Sequence, residues 1–338
     1  MELLFMGNLD KNNGTKVEKS SEDFCDKTKT INDETDGMER EELDFVNFCE
    51  YRWNLRKVRP GRTKINEDEN GDKYASIEVK AKDNPEYIKN GKKEWLENNI
   101  KTERNELRLN KENDFKFNEN FKYKFSFRIP ENFPLSPTRL VIWQWKYNKL
   151  EGSDEKEDPS PILAQRIKKI NWEYYFIITD WTEEKNILWK IPFEEIRGKW
   201  VDMDYELRFS DKTDENGKPI PCTVKIKADV EWERKIDEEK EFYLAEENKL
   251  QFNSKESHSG YFKFWLYRDN YDYAKTKIKD KEGLDEIEQA QKTEEQNPME
   301  IHFKNFSMED LTYKEFEQEK KQSKNKLLSR IKKLMKKL

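Results

Sequence analysis

The chain has 338 residues and nearly balanced charge, since 65 basic and 71 acidic side chains give a net charge of −6. No apolar run approaches the roughly 20 residues that a transmembrane helix needs, which excludes a membrane-spanning protein. Aromatic residues make up 13% of the chain and include 10 Trp, which excludes a wholly disordered chain. The charge balance also argues against a general nucleic-acid-binding protein, which would carry a basic excess.

The first 43 residues are polar and show no hydrophobic periodicity, so we expect a disordered N-terminal tail. The apolar start Met1–Met6 is shorter than the 7–15 apolar residues of an export signal, and no signal peptide is predicted. Cys25, Cys49 and Cys222 cannot all pair with one another and lack metal-ligand spacing. Neither a disulfide framework nor a metal site is therefore predicted.

Residues 44–310 read as one all-β domain, because short segments of alternating polarity are separated by turn residues. The clearest is Phe121-Lys-Tyr-Lys-Phe-Ser-Phe-Arg-Ile129, whose odd positions are apolar. Further strands are predicted at 140–146, 160–167, 172–178, 203–209, 223–232, 261–267 and 300–306. No βαβ alternation occurs. This favours a concanavalin-like β-jelly-roll sandwich of two antiparallel sheets.

The polar insertion 275–298 is either a short helix or a loop. Beyond Met308 the apolar residues follow helical spacing with lysines between them, as at Leu327, Leu328 and Ile331. The segment 311–338 is therefore predicted to be a basic amphipathic helix. Such a helix either packs on the domain or makes a weak contact with an anionic membrane or a partner.

Three predicted strands carry polar residues that share one face. In Arg104-Asn-Glu-Leu-Arg108, the alternation places Glu106 between Arg104 and Arg108. A carboxylate between two guanidiniums holds and orients them, and such a row suits an acidic ligand.

The second strand contains Gln144 and Lys146 on one face. Ile142 is assigned to the same face, and Trp143 and Trp145 to the opposite face.

The third strand is Tyr261-Phe-Lys-Phe-Trp-Leu-Tyr267, whose even positions are apolar and are expected to face the core. The other face then carries Tyr261, Lys263, Trp265 and Tyr267. If the three strands lie side by side, they form a locally basic wall.

These segments resemble three motifs of alginate lyases. The segment 104–108 is similar to their R-[ST]-E-L-R, 144–146 to their Q-[IV]-H, and 261–267 to their Y-F-K-x-G-x-Y. The order of Tyr123-Lys-Phe-Ser-Phe-Arg-Ile-Pro130, Gln144-Trp145 and Ser160-Pro-Ile-Leu-Ala164 more closely resembles the heparin lyase I and glucuronan lyase group. The resemblance covers roughly residues 45–308.

The resemblance implies a polysaccharide lyase that cleaves an anionic, uronic-acid-containing polysaccharide by β-elimination without an organic cofactor. Arg104 and Gln144 would neutralise the sugar carboxylate and stabilise the enolate. The positions of the family's base and acid are Lys146 and Tyr267. The implied substrate-binding residues are Glu106, Arg108, Tyr261, Lys263 and Trp265.

Two departures from the motifs keep alternatives open. Lys146 replaces the histidine, and a lysine serves as base only if its pKa falls well below ~10.4. Alternatively, Tyr267 acts as both base and acid, with its phenolate favoured by nearby cations. Trp265 replaces a glycine and either stacks on a sugar ring or blocks a subsite. A non-catalytic, lectin-like carbohydrate-binding jelly roll is therefore the alternative function.

The remaining candidates point to no metal centre. His258 is expected in a turn, and His302 exposed beside Lys304. The acidic segment 154–158 is expected to be a solvated loop, with structural calcium as the alternative. The resemblance implies extracellular action. A third function class, a structural or membrane-peripheral protein, would use the C-terminal helix.

Overall fold

Two antiparallel sheets make up most of the chain in the computed structural model. It describes residues 45–56, 62–80, 86–89, 92–95, 102–148, 161–180, 186–244 and 258–312. The predicted tail 1–43, the acidic segment 154–158 and residues 313–338 of the predicted amphipathic helix lie outside these ranges. Strands and helices are numbered in chain order.

The first sheet contains the three strands that carry the motifs. Its strands in spatial order are β1 (Phe45–Phe48), β2 (Tyr51–Arg56), β7 (Thr102–Leu109), β17 (Ser259–Asp269), β10 (Leu140–Tyr147), β11 (Pro161–Ile170), β12 (Glu173–Asp180) and β13 (Ile187–Pro192), with β8 (Phe115–Lys116) also paired to β17.

The second sheet covers the inner face of the first. Its order is β16 (Glu233–Phe242), β15 (Cys222–Val230), β14 (Trp200–Arg208), β9 (Asn120–Arg128), β18 (Met299–Asp310), β4 (Lys73–Val79) and β3 (Thr63–Glu67). The strands β5 (Glu86–Lys89) and β6 (Lys92–Trp95) form a separate hairpin. The helices are α1 (Phe193–Ile196), α2 (Tyr271–Lys277) and α3 (Lys281–Gln296).

Aromatic side chains fill the space between the sheets, as the alternating pattern predicts. The ring of Trp143 lies 5.0 Å from that of Phe125 and 4.8 Å from that of Phe127, across the sandwich. Edge-to-face contacts of this kind add to the free energy gained by burying the rings. The predicted β-jelly-roll sandwich is confirmed.

The strands that the sequence analysis missed include β16, which lies at the edge of the second sheet. Most of its side chains are exposed and charged, and Ile236 and Phe242 are its buried ones. Charged residues are common on edge strands because they discourage pairing with another chain. The charged residues also hide the alternation of polar and apolar residues by which a strand is recognised in a sequence.

The polar insertion 275–298 contributes to two helices. The side chain of Asn270 accepts a hydrogen bond from the backbone N–H of Tyr273, and Asp280 accepts one from Gly283, so both helices are capped. Arg268, at the end of β17, forms buried ion pairs with Glu103 of β7 and Glu294 of α3. The pair with Glu294 holds α3 against the sandwich.

The assignment of Ile142 to the polar face is wrong. The register of β10 against β11 and β17 shifts between Val141 and Trp143, which interrupts the alternation. Ile142 and Trp143 therefore both lie in the core, whereas Val141 packs with Trp265 on the outer face. A bulge of this kind changes which side chain faces outward.

The predicted exposure of His302 is also wrong. It is buried in β18, an interior strand, with its Nδ1 3.1 Å from Arg128 Nη2 and its Nε2 3.1 Å from Glu300 Oε1. Its ring lies 4.6 Å from that of Tyr74. Long side chains from the neighbouring strands cover this face. His258, just before β17, is buried as well, with its Nδ1 2.7 Å from Asp211 Oδ2.

Candidate functional site

The three motif-bearing strands lie side by side in the order β7, β17, β10. Lys263 is the register partner of Arg108 on one side and of Gln144 on the other. The motif face is defined here as the outer face of these strands and of β11, with the residues Arg104, Glu106, Arg108, Val141, Gln144, Lys146, Ala164, Tyr261, Lys263, Trp265 and Tyr267. Residues from three distant parts of the chain are thus combined in one surface.

A chain of charges crosses the motif face. Arg104 Nη1 lies 3.6 Å from Glu106 Oε1, and Lys263 Nζ donates a hydrogen bond of 2.8 Å to Glu106 Oε2. Glu106 and Lys263 are both buried. Glu106 therefore lies between two cations, although the second is Lys263 rather than Arg108. Charge-assisted contacts of this kind fix the positions of the side chains.

Lys263 has an unusual electrostatic environment. Burial lowers its pKa to about 8, Glu106 acts to raise it, and Lys146 and Arg104 lower it further. Its Nζ also lies 3.7 Å from the centre of the Trp265 ring. A lysine with such a pKa is partly neutral near physiological pH, so Lys263 can accept a proton.

Tyr267 lies between two guanidiniums, with Arg104 Cζ 4.9 Å and Arg139 Cζ 4.7 Å from its ring centre. Its ring is 4.6 Å from that of Trp265. Burial nevertheless raises the pKa of the Tyr267 hydroxyl, and the two arginines only oppose that effect. The two arginines favour the phenolate, as predicted, but burial outweighs them in the pKa, and Tyr267 keeps its proton at neutral pH.

Gln144 is fully buried, with 0% exposure. Among the described residues, neither its amide nitrogen nor its amide oxygen has a hydrogen-bond partner, and the indole N–H of Trp265 also lacks one. Buried polar groups are normally paired. An unpaired buried amide beside these basic residues is therefore a candidate ligand contact.

The structure does not bring Lys146 and Tyr267 together. Lys146 pairs with Tyr261 on β17, whereas Tyr267 pairs with Val141, so the two lie six residues apart along β17. At ~3.3 Å per residue in an extended strand, their backbones are about 20 Å apart. These two residues cannot exchange protons with the same sugar ring.

Arg108 is held by protein groups at the other end of the face. Its Nη2 lies 3.3 Å from Asp114 Oδ2 and 3.0 Å from Asn148 Oδ1, and its guanidinium stacks 4.0 Å from the ring centre of Tyr261. Burial raises the pKa of Asp114, against the effect of Arg108. Arg108 is thus fixed in place and orients Tyr261.

Arg139 is a site residue that the sequence analysis missed. It precedes β10, stacks on Tyr267, and forms an ion pair of 2.7 Å with Asp269 at the end of β17. It lies in a turn segment without periodicity. Only the pairing of β10 with β17 brings it to the motif face.

No group of three His, Cys, Asp or Glu side chains suited to a metal ion occurs within the part of the chain that the structure describes. None of the helices in that part is long and apolar enough to cross a bilayer.

Comparison with known families identifies the chain. A sequence model of the polysaccharide lyase family matches residues 8–219, more than half of the length. The chain belongs to the polysaccharide lyase family. The matched residues include the motif segments of β7 and β10, whereas β17 lies beyond them.

The chain is also similar to several solved structures. An endo-β-1,4-glucuronan lyase from Trichoderma reesei is 14% identical, with a TM-score of 0.44 over 76% of this chain and 91% of that chain. An alginate lyase from Pseudomonas aeruginosa is 13% identical, with a TM-score of 0.38 over 75% and 88%. The catalytic domain of a glycoside hydrolase family 131 protein from Coprinopsis cinerea is 12% identical, with a TM-score of 0.41 over 77% and 83%. No curated protein sequence matches the chain.

Proposed function

We propose that this polysaccharide lyase family member cleaves an anionic, uronic-acid-containing polysaccharide by β-elimination. The observation that carries the proposal is the cluster of cations around Gln144, whose amide has no partner among the described residues: its register partner Lys263 interacts with both Lys146 and Arg104. The basic residues on the surrounding motif face favour a polyanion over a neutral chain.

The first requirement of the reaction is to acidify the C5 proton of the uronate. That proton becomes acidic when the charge of the adjacent carboxylate is neutralised. In the proposal, the Gln144 amide donates to a carboxylate oxygen and the Arg104 guanidinium supplies positive charge. Such donors stabilise the enolate because they are already oriented before the charge develops.

The second requirement is a base and an acid. We assign the base to Lys263 and the acid to Tyr267, because their pKa shifts match these roles. Both contact the ring of Trp265, so both border the same part of the face. This assignment departs from the sequence-based expectation of Lys146 as base, and leaves Lys146 as a substrate-binding residue.

The proposed step conserves protons and electrons. Neutral Lys263 takes the C5 proton, the C5–H electrons form the C4–C5 double bond, and the C4–O4 bond breaks. Tyr267 transfers its proton to the leaving glycosidic oxygen. Proton return from Lys263 to Tyr267, directly or through water, restores the enzyme. The residues need no organic cofactor for this step.

A second candidate function is a non-catalytic, lectin-like carbohydrate-binding protein. Two features favour it. Lys146 replaces the histidine of the family motif, and Trp265 occupies the position of a glycine. An indole ring at this position could hold a sugar by stacking without any proton transfer.

One assay separates the two functions. The protein is incubated with glucuronan, alginate and heparin, and the unsaturated product is followed by its ultraviolet absorbance. We expect product from at least one polymer, and a rate at least ~100-fold lower for Gln144→Leu because an oriented donor is lost. If the protein binds a polymer but releases no product, the lyase proposal is refuted and the lectin-like function is supported.

Gln165→Leu is the matched control. Gln165 on β11 is also fully buried, and its amide also lacks a partner among the described residues. It pairs with Trp143, on the core side of the sheet. This variant should keep its activity, so an equal loss in both variants would indicate damage to the fold instead of loss of a donor.

A further inference from the structure

Two β-hairpins of the sandwich end in exposed tryptophans. Trp172 lies at the β11–β12 tip and is 69% exposed, and Trp232 lies at the β15–β16 tip and is 91% exposed. Both have left-handed backbone conformations, with φ of 73° and 76°. The preceding residues, Asn171 and Glu231, also have positive φ, of 49° and 47°. Two consecutive positive φ angles are typical of type I′ turns.

Folding alone does not explain these tryptophans. The second position of a type I′ turn favours glycine, and a bulky side chain there is strained. The β1–β2 hairpin makes a similar turn with Cys49 and Glu50, at φ of 50° and 64°. An aromatic ring is therefore not needed for the turn. Strained backbone that holds an exposed ring indicates a function for the ring.

The two tips lie at the same end of the sandwich. Trp172 directly precedes β12, whose residue Tyr175 pairs with Pro192, the last residue of β13. The helix α1 follows at once, and its Glu195 forms an ion pair of 2.9 Å with Lys235 of β16. The start of β16 directly follows Trp232, so α1 lies between the two tips.

The ring of Trp172 is held in place on one side. Lys169 Nζ lies 4.6 Å from its centre, and Lys169 is itself bound to Glu286 of α3. The other face of the ring remains available for contact. A pre-oriented ring loses little conformational freedom when it binds a ligand.

The charges beside Trp232 select among ligands. Trp232 lies between Glu231 and Glu233, which are both exposed. These carboxylates would be repelled by an anionic membrane surface. They are suited to accept hydrogen bonds from hydroxyl groups, while the indole covers the apolar face of a sugar ring.

We propose that Trp172 and Trp232 form a second carbohydrate-binding surface, separate from the motif face, for a neutral pyranose polymer. This surface would hold the protein on a neutral glycan while the motif face acts on an anionic one. The inference goes beyond the proposed elimination reaction and does not depend on it.

The test measures retention of the full-length protein on insoluble cellulose, β-1,3-glucan and mannan by depletion from solution. We expect retention on at least one glycan, with little effect of salt, and an association constant at least tenfold lower for the double variant Trp172→Ala/Trp232→Ala. Tyr243→Ala is the control, because Tyr243 is 55% exposed but follows the far end of β16. It should bind like the parent.

Two further variants distinguish glycan binding at the tips from binding at the motif face and from a structural role of the rings. Gln144→Leu should keep its glycan retention, and its loss would place binding on the motif face. Trp172→Gly/Trp232→Gly should lose retention without a lower unfolding temperature, because glycine relieves the left-handed strain. A lower unfolding temperature would assign the rings a structural role and overturn the proposal.

Three other results would also overturn it: no retention of the parent on any of the glycans, equal retention by the double alanine variant, or tryptophan-dependent binding to vesicles of anionic lipid with no glycan binding.

Discussion

The pH dependence of catalysis tests the assignment of Lys263 as base. Its pKa is lowered from 10.5 to about 8, a shift that favours the neutral amine by about 3 kcal/mol. At that value about a tenth of the lysine is neutral at pH 7 and about half at pH 8. We therefore expect kcat/KM to rise about fivefold from pH 7 to 8 and less than about twofold from pH 8 to 10.

The Glu106→Gln variant tests whether the pH dependence comes from Lys263. The Glu106 carboxylate raises the pKa of Lys263, so its removal should lower that pKa and move the half-maximal rate to lower pH. Glu206→Gln is the control, because Glu206 accepts a comparable 2.8 Å hydrogen bond from Lys122 on the second sheet. Its profile should match that of the parent.

The assay is the initial rate of unsaturated product formation between pH 6 and 10, at substrate concentrations well below KM. A rate that climbs about tenfold per pH unit up to pH 10 would mean that the base has an ordinary lysine pKa. A Glu106→Gln profile that does not move, or that moves to higher pH, would refute Lys263 as base.

Three further variants test other contacts. Tyr267→Phe should lower kcat by at least about 100-fold while polymer affinity is kept, as loss of a general acid predicts; unchanged kcat would refute the assignment. The free energy of unfolding of the parent should rise as pH goes from about 8 to 10.5, because the unfolded parent binds more protons in that window, and Lys263→Met should lack this rise. Arg268→Met removes the arginine from two buried carboxylates and should lower the urea unfolding free energy by about 3–5 kcal/mol, whereas the exposed Arg234→Met should not change it measurably.

The alternation of polar and apolar residues predicted the faces of individual strands. In β17 it placed Phe262 and Phe264 in the core between the sheets and Lys263 and Trp265 on the opposite side of the sheet, as the structure shows. This works because the two-residue period of an extended strand is a local property. The resemblance to lyases supplied the expectation that the three polar strands meet.

Irregular backbone and neighbouring strands were not predictable in the same way. The register shift in β10 moved Ile142 into the core, and no local pattern marks it. His302 is buried because β18 lies between β9 and β4. The sequence of β18 alone places His302 on the polar face of the strand, where exposure is expected.

The sequence by itself therefore determined the all-β class, the inward faces of the main strands and the set of polar residues on the motif face. Only the tertiary structure decided their chemistry. Lys263 meets Glu106 from a strand 157 residues away, and its pKa depends on that contact and on burial. Lys146 and Tyr267 match the positions of the base and the acid in the family motifs. The pairing of β10 with β17 nevertheless places them at opposite ends of the motif face. The distance between two charged side chains and the burial of each depend on how strands pair. The order of residues along one strand does not encode that pairing, so it does not determine the pKa values.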